Sequence, residues 1–204
     1  MTTPSQFWSD FAARYDGHLL SRDATILGPR IAAAVGPVAR VLDAGCGTGQ
    51  VTVELARIAN QVDGADFVQE MLDVARGKTG RLGLTNVSFH QMPVESLSFP
   101  DASFDAVVLS NVLHLIDAPD KALSEARRVL KPQGKLVAPC YCHAEGLKTA
   151  LLSRLTALLF GVPIRQRFGV NRLLVMVESA GFKITEREVV RFKMPLVFVQ
   201  AIAV

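Results

Sequence analysis

The sequence predicts an α/β protein built on an open, doubly wound, mostly parallel sheet, and three observations carry that prediction. The apolar run Val38 to Leu42 ends at Asp43, breaks into Gly45-Cys46-Gly47-Thr48-Gly49, and gives way to a helical pattern at Gln50. Strand, glycine turn, helix is the order of the first unit in nucleotide-binding sheets. Short apolar runs then alternate with helical periodicity as far as Tyr141, which is the rhythm of successive parallel strands and crossover helices. An acid, Asp66, ends the second run 21 residues beyond Gly45, where such sheets place a carboxylate against ribose hydroxyls.

At 204 residues with 50% hydrophobic content, a single folded domain over residues 1–204 is expected, and disorder is excluded. Its expected parts are a helical lid (1–35), a ligand-binding core (36–141), and a cap segment with the final strands (142–204). Cys46, Cys140 and Cys142 are too few for a disulfide framework, so a reducing cytoplasm is the simpler setting. Cys-x-Cys without further ligands is no metal motif, and no metal is expected. The longest apolar run, Leu147 to Val162, is broken by Lys148 and Arg154, so no membrane span is expected. The net charge of +3 divides into −3 over residues 1–102 and +6 over residues 103–204. That modest basicity suits an anionic substrate or a solvated surface better than a nucleic acid.

Residues 5–34 read as two helices broken near Asp16-Gly17, with Phe7, Trp8, Phe11 and Tyr15 on one face. That face suits either a lid or a helix packed on the sheet. Strands follow at Val38–Asp43, Gln61–Asp66, Asn86–His90, Ser103–Ser110 and Lys135–Tyr141, with helices at Gln50–Asn60 and Ala118–Lys131, the latter closed by Pro132-Gln133-Gly134. Gly146–Phe160 repeats leucine at helical spacing. It reads as a cap on a pocket, as a helix lying on a membrane surface, or as ordinary packing against the sheet. Ile164–Gly169 reads as loop and Val170–Ala180 as a helix stopped by Gly181. Phe182–Phe192 and Pro195–Val204 read as a final strand pair.

The glycine turn discriminates among nucleotides. Gln50 stands where the dinucleotide fingerprint needs its third glycine, and no lysine follows as a phosphate loop needs. The spacing acid-x-Gly-x-Gly-x-Gly instead resembles motif I of the class I S-adenosylmethionine-dependent methyltransferases. Asp66 through Met71-Leu72 resembles that family's next motif; Asp63 is a competing acid but lies inside the strand. Phe104 to Val137 resembles its small-molecule and quinone-biosynthesis branch, with Gln133 replacing a usual glycine. The resemblance implies a Rossmann-like, seven-stranded sheet with an antiparallel final strand. It implies S-adenosylmethionine as cofactor, leaving as S-adenosylhomocysteine, and a small-molecule methyl acceptor. The implied cofactor residues are Asp43, Ala44, Gly45, Cys46, Gly47 and Gly49 in the first motif, and Asp66, Phe67 and Met71 in the second. Met92, Pro93, Val94 and Ser110 complete the set. Pro93 departs from the pattern, since an acid that accepts from the adenine amino group is expected there; Gln91, Met92 or Glu95 would have to substitute. Tyr15, His18 and Tyr141 are the implied lid and substrate residues.

The implied reaction is in-line displacement at the sulfonium methyl, in which the cofactor carries the reactive group and the protein supplies position and electrostatics. A general base is needed only when the nucleophile must lose a proton. His114, beyond the fourth strand, is the first candidate, with Asn111 beside it; His18 and His143 rank below. Cys140 and Cys142 read as small core residues. The Pro-Cys and Asn/Asp-Pro-Pro-aromatic motifs of nucleic-acid methyltransferases are absent. A non-catalytic S-adenosylmethionine-binding module, an RNA or protein methyltransferase, and a nicotinamide oxidoreductase are the alternatives.

Overall fold

A computed structural model describes residues 3–17, 22–191 and 195–204. The strands are β1 (Val38–Ala44), β2 (Ala59–Asp66), β3 (Val87–Gln91), β4 (Phe104–Val108), β5 (Leu130–Val137), β6 (Cys140–Tyr141), β7 (Phe182–Arg191) and β8 (Pro195–Ala203). The helices are α1 (Pro4–Tyr15), α2 (Arg22–Val35), α3 (Gln50–Leu55), α4 (Gln69–Arg81), α5 (Pro119–Val129), α6 (Leu147–Phe160) and α7 (Val170–Ser179).

The strands form one sheet in the order β3-β2-β1-β4-β5-β8-β6, with β7 also on β8. The pairs among β1 to β5 are parallel, and β8 runs antiparallel to β5, β6 and β7. Chain order reverses between β1 and β4, and ligands of open α/β sheets bind beyond the carboxyl ends of the strands at that point.

Both faces of the central strands are buried, which is why they read as continuous apolar runs and not as alternating ones. Leu42, Val107, Leu109 and Leu136 face one layer with Leu123, Phe168 and Leu173. Their neighbours Val41, Ala106, Val108 and Val137 face the other, with Leu27, Ile31 and Leu55.

The eight strands replace the expected seven because the fifth ribbon is divided: β5 stops at Val137, Pro139 has no N–H to donate, and β6 resumes at Cys140. The first crossover helix is also shorter than its pattern, ending at Leu55 and not at Asn60. Asn86 Nδ2 donates to the carbonyls of Ala56 and Ala59 at 2.9 and 3.0 Å, so the helix exit is satisfied by a side chain from the β3 approach and β2 begins early. The turn at Pro132–Gly134 lies within β5, with Gln133 at φ 62 and a register shift opposite Phe104 and Ala106.

Helix α1 starts on Thr3, whose hydroxyl accepts from Gln6 N at 3.2 Å, with Pro4 at its first position. Its Ala12 packs with Val68 and Met71 at the start of α4, and Trp8 and Tyr15 add to that cluster. The N-terminal helix therefore lies over α4, on the carboxyl side of β2.

Candidate active site at the switch point

The floor of the site is the glycine turn. The N–H groups of Gly45 and Cys46 both donate to the Ala65 carbonyl, at 2.7 and 3.0 Å, and hold the turn against the end of β2. Gly45, Gly47 and Gly49 have φ of +77, +51 and +75, a region side chains rarely adopt. A Cβ on Gly45 would stand 2.3 Å from Val112 Cγ2, and one on Gly49 would stand 3.0 Å from Ala75 Cβ. A Cβ on Gly47 would meet nothing within 4 Å. The outer two glycines thus let the segment after β4 and helix α4 close in, and the middle one leaves its face open.

Two buried carboxyls back this turn. Asp66 accepts from Gly47 N at 2.9 Å and from Val68 N at 3.0 Å. Burial raises its pKa against those backbone donors. Asp43 accepts from Thr52 Oγ1 at 2.6 Å, and burial, with the charge of Asp66 adding to it, pushes its pKa up to about 7 against the Thr52 hydrogen bond. Asp43 therefore sits behind the turn and ties α3 to β1. The competing acid Asp63 is engaged elsewhere: it accepts from Arg40 Nε at 2.8 Å, and its other oxygen lies 2.7 Å from His90 Nε2.

Above the turn opens a concave cleft with about 120 Å3 of cavity. Gly45, Gly47, Asp66, Phe67, Met71 and Val94 line one side, and Ser110, Asn111, Val112, Leu115 and Ile116 the other, with Trp8 and Tyr15 of α1 over them. Glu95 also lines it, so an acid reaches the region where Pro93 breaks the family pattern. Asn111 has φ 56, uncommon for a residue with a side chain. Its N–H donates to the Pro139 carbonyl at 2.8 Å, and its buried Oδ1 has no partner among the described residues.

Sequence reasoning missed Asp16, reading it only as a helix break. Its carboxylate accepts from Thr48 Oγ1 at 2.6 Å and Gln50 Nε2 at 2.9 Å and pairs with Lys78 at 2.8 Å. Burial opposes its charge, but Lys78, Thr48 and Gln50 together hold its pKa below the usual carboxylate range. It fastens the end of α1 to the glycine turn and to α4. The acid beside Gly17 was the whole of its sequence signal.

Several candidates stand apart from the cleft. Ala44 and Cys46 are buried in the turn. Met92 N donates to the Asp66 carbonyl at 3.0 Å, and Gln91 Nε2 donates to the Phe67 carbonyl at 3.3 Å, so both brace the Asp66 segment; Pro93 is exposed beside them. His18 lies outside the described residues.

His114 does not line the cleft. It is buried, with Nδ1 3.5 Å from Cys140 Sγ, and its carbonyl accepts from Arg165 N and Gln166 N at 3.0 Å each. Its ring lies 4.8 Å from that of His143 and 6.1 Å from that of Tyr141. Cys140 and Cys142 are buried, and burial pushes both thiols up, Cys142 to about 12.

His143 is 2% exposed with neither ring nitrogen hydrogen-bonded among the described residues. Burial, with Arg167 adding, pushes its pKa down to about 4, and burial with His143 nearby holds His114 well below 6.5. Both rings are therefore neutral in the fold and protonate more readily in the unfolded chain. Stability from this source is complete above the unfolded value near 6.5 and is lost as pH falls toward 4. The shift at His143 corresponds to roughly 3 kcal/mol. Urea midpoints measured between pH 7.5 and about 4.5 should fall with pH, and more steeply in the wild type than in His143→Leu. Equal slopes would place the acid sensitivity in other groups.

Residues 42–138 match the family described as "Methyltransferase domain". Demethylmenaquinone methyltransferase of Deinococcus radiodurans is 40% identical over 141 residues, covering 65% of this chain and 57% of that protein. Ubiquinone/menaquinone biosynthesis C-methyltransferase UbiE of Vibrio vulnificus is 37% identical over 142 residues, covering 65% and 55%. The chain spans a little over half the length of these two relatives. The N-methyltransferase NodS of Bradyrhizobium japonicum, solved with S-adenosyl-L-homocysteine, superposes with a TM-score of 0.78 at 17% identity over 98% of both chains, a likeness of fold. Over residues 42–138, which carry the glycine turn, Asp66 and the Ser110–Asn111 edge of the cleft, the chain is similar to the methyltransferase domain family.

Proposed function

We propose that this protein transfers the methyl group of S-adenosylmethionine to a carbon of an electron-rich, hydroxylated quinone-type ring. One observation supports this most: the open face of Gly47 lies beside the Asp66 carboxylate in a cleft roofed by Trp8 and Tyr15. A carboxylate accepts from two adjacent hydroxyls, which suits Asp66 to the ribose. The backbone at Gly45 and Gly47 then passes under the methionine part. Phe67, Met71 and Val94 form an apolar slot for adenine, with Glu95 as the acceptor for its amino group in place of an acid at Pro93. Residues 1–35 act as the lid, 36–141 as the cofactor core and 142–204 as the cap.

The acceptor enters from the side of Ser110 and Asn111. Asn111 Oδ1 is suited to accept from a ring hydroxyl and hold the ring in line with the sulfonium methyl. The ring carbon forms the new bond as the carbon–sulfur bond breaks, and the ring proton leaves to solvent. His114, packed on Cys140 away from the cleft, is assigned to holding the 110–116 turn and not to proton transfer; Tyr141 stands with it. The names of the relatives support the ring and the carbon acceptor.

The test has two arms. S-adenosylmethionine and NAD are added separately in a thermal-shift assay, and only the first is expected to raise Tm. Methyl-labelled cofactor is then incubated with a reduced demethylated quinone, and label is expected on the ring. A shift with NAD alone refutes the cofactor reading. Binding without transfer to that ring or to simpler hydroxylated rings identifies a binding module in place of an enzyme.

A further inference from the structure

The strongest feature outside the cleft is α6, which is turned inside out. Leu147, Leu151, Leu155 and Leu158 are 90, 68, 49 and 81% exposed. At 3.6 residues per turn they fall within an arc of about 80°. The opposite side carries Ser153, fully buried, between the half-buried Ala150 and Ala157. Ser153 Oγ accepts from Arg167 Nε at 3.3 Å, and the helix ends at Gly161 with φ 67. The small face is therefore fixed on the protein and the leucine face is presented to solvent.

Charge selects what covers that face. Residues 146–177 contain five basic residues and no acid. Arg154 is exposed at the edge of the leucine arc, and exposed Arg165 lies past the helix end, 3.5 Å from Asp117. An apolar arc edged by exposed Arg154, on a segment that is basic over residues 146–177, suits an anionic lipid surface, where leucines enter the acyl boundary and arginine meets the headgroups. No described helix is long and apolar enough to cross a membrane, so the contact lies in the interface plane. The helix also abuts the mouth of the cleft: a Cβ on Gly161 would stand 3.5 Å from Phe7 of α1, and Trp8 and Tyr15 of that helix line the cleft.

We propose that the leucine face of α6 docks on an anionic membrane surface and so places the cleft mouth where a membrane-dissolved acceptor is available. The acceptor half of this proposal rests on the ring-methylating function proposed above; the docking half does not.

The experiment is flotation of the whole chain with phosphatidylcholine vesicles, with and without about 30 mol % phosphatidylglycerol. The wild type should float with the anionic vesicles and be released by salt. Leu151→Ser with Leu158→Ser should lower binding by at least about tenfold, while Tm and S-adenosylmethionine affinity stay unchanged because both side chains are exposed. Failure of the wild type to float, or equal flotation of the double variant, overturns the proposal. So does a wild-type dimer on sizing that the double variant splits, since a second copy then covers the face. Vesicle binding without turnover of any ring refutes the function and leaves docking standing; turnover of a soluble ring without vesicle binding does the reverse.

Discussion

Gly45→Ala should lower the melting temperature by about 10 °C in scanning calorimetry. Two costs combine. A side chain at φ +77 is strained by roughly 1–3 kcal/mol. The new methyl would also start 2.3 Å from Val112 Cγ2, with Val112 Cγ1 at 3.2 Å. Val112 is itself buried against the core, so overpacking adds about 1–3 kcal/mol. At this size each kcal/mol moves Tm by roughly 2–4 °C. Gly47→Ala is the internal comparison. It carries similar backbone strain, but its Cβ meets nothing within 4 Å, so it should melt closer to the wild type while weakening ligand binding. Equal Tm losses in the two variants would show that Val112 yields and that strain alone matters.

Asp66→Ala should weaken S-adenosylmethionine binding by about 1–3 kcal/mol, roughly 5- to 150-fold in Kd. The carboxylate accepts from the N–H groups of Gly47 and Val68, so its removal leaves two backbone donors without their acceptor and removes the partner proposed for the ribose. Titration calorimetry at pH 7 measures the change. Asp63→Ala serves as control: its partners are Arg40 and His90, and it should cost stability without changing Kd. An Asp66→Ala protein with wild-type affinity would move the ribose contact to another residue.

The parts of the site that were legible in the sequence are those set by backbone stereochemistry over a few residues. Gly45, Gly47 and Gly49 announce a turn because few other residues adopt its angles, and the spacing to Asp66 follows from one strand–helix–strand unit. Asp16 was illegible because its role depends on Thr48, Gln50 and Lys78, which only the folded chain brings together. The early end of α3 depends in the same way on Asn86 reaching back to Ala56 and Ala59. The rank of His114 rested on its position after a strand, and position does not tell which way a ring points; it points to Cys140. Helix α6 shows the limit of periodicity most plainly. Leucine spacing identified residues that share a face, but the face that packs inward is the one of Ser153.

The fastening at Asp16 has a bearing on how molecules come and go. The roof over the cleft hangs from the two elements that make its floor, since Asp16 is bound at once to Thr48 and Gln50 beside the glycine turn and to Lys78 on α4. If residues 1–35 act as the proposed lid, lifting α1 would break the links of Asp16 to Thr48, Gln50 and Lys78 together, so opening the roof and freeing the glycine turn would be coupled.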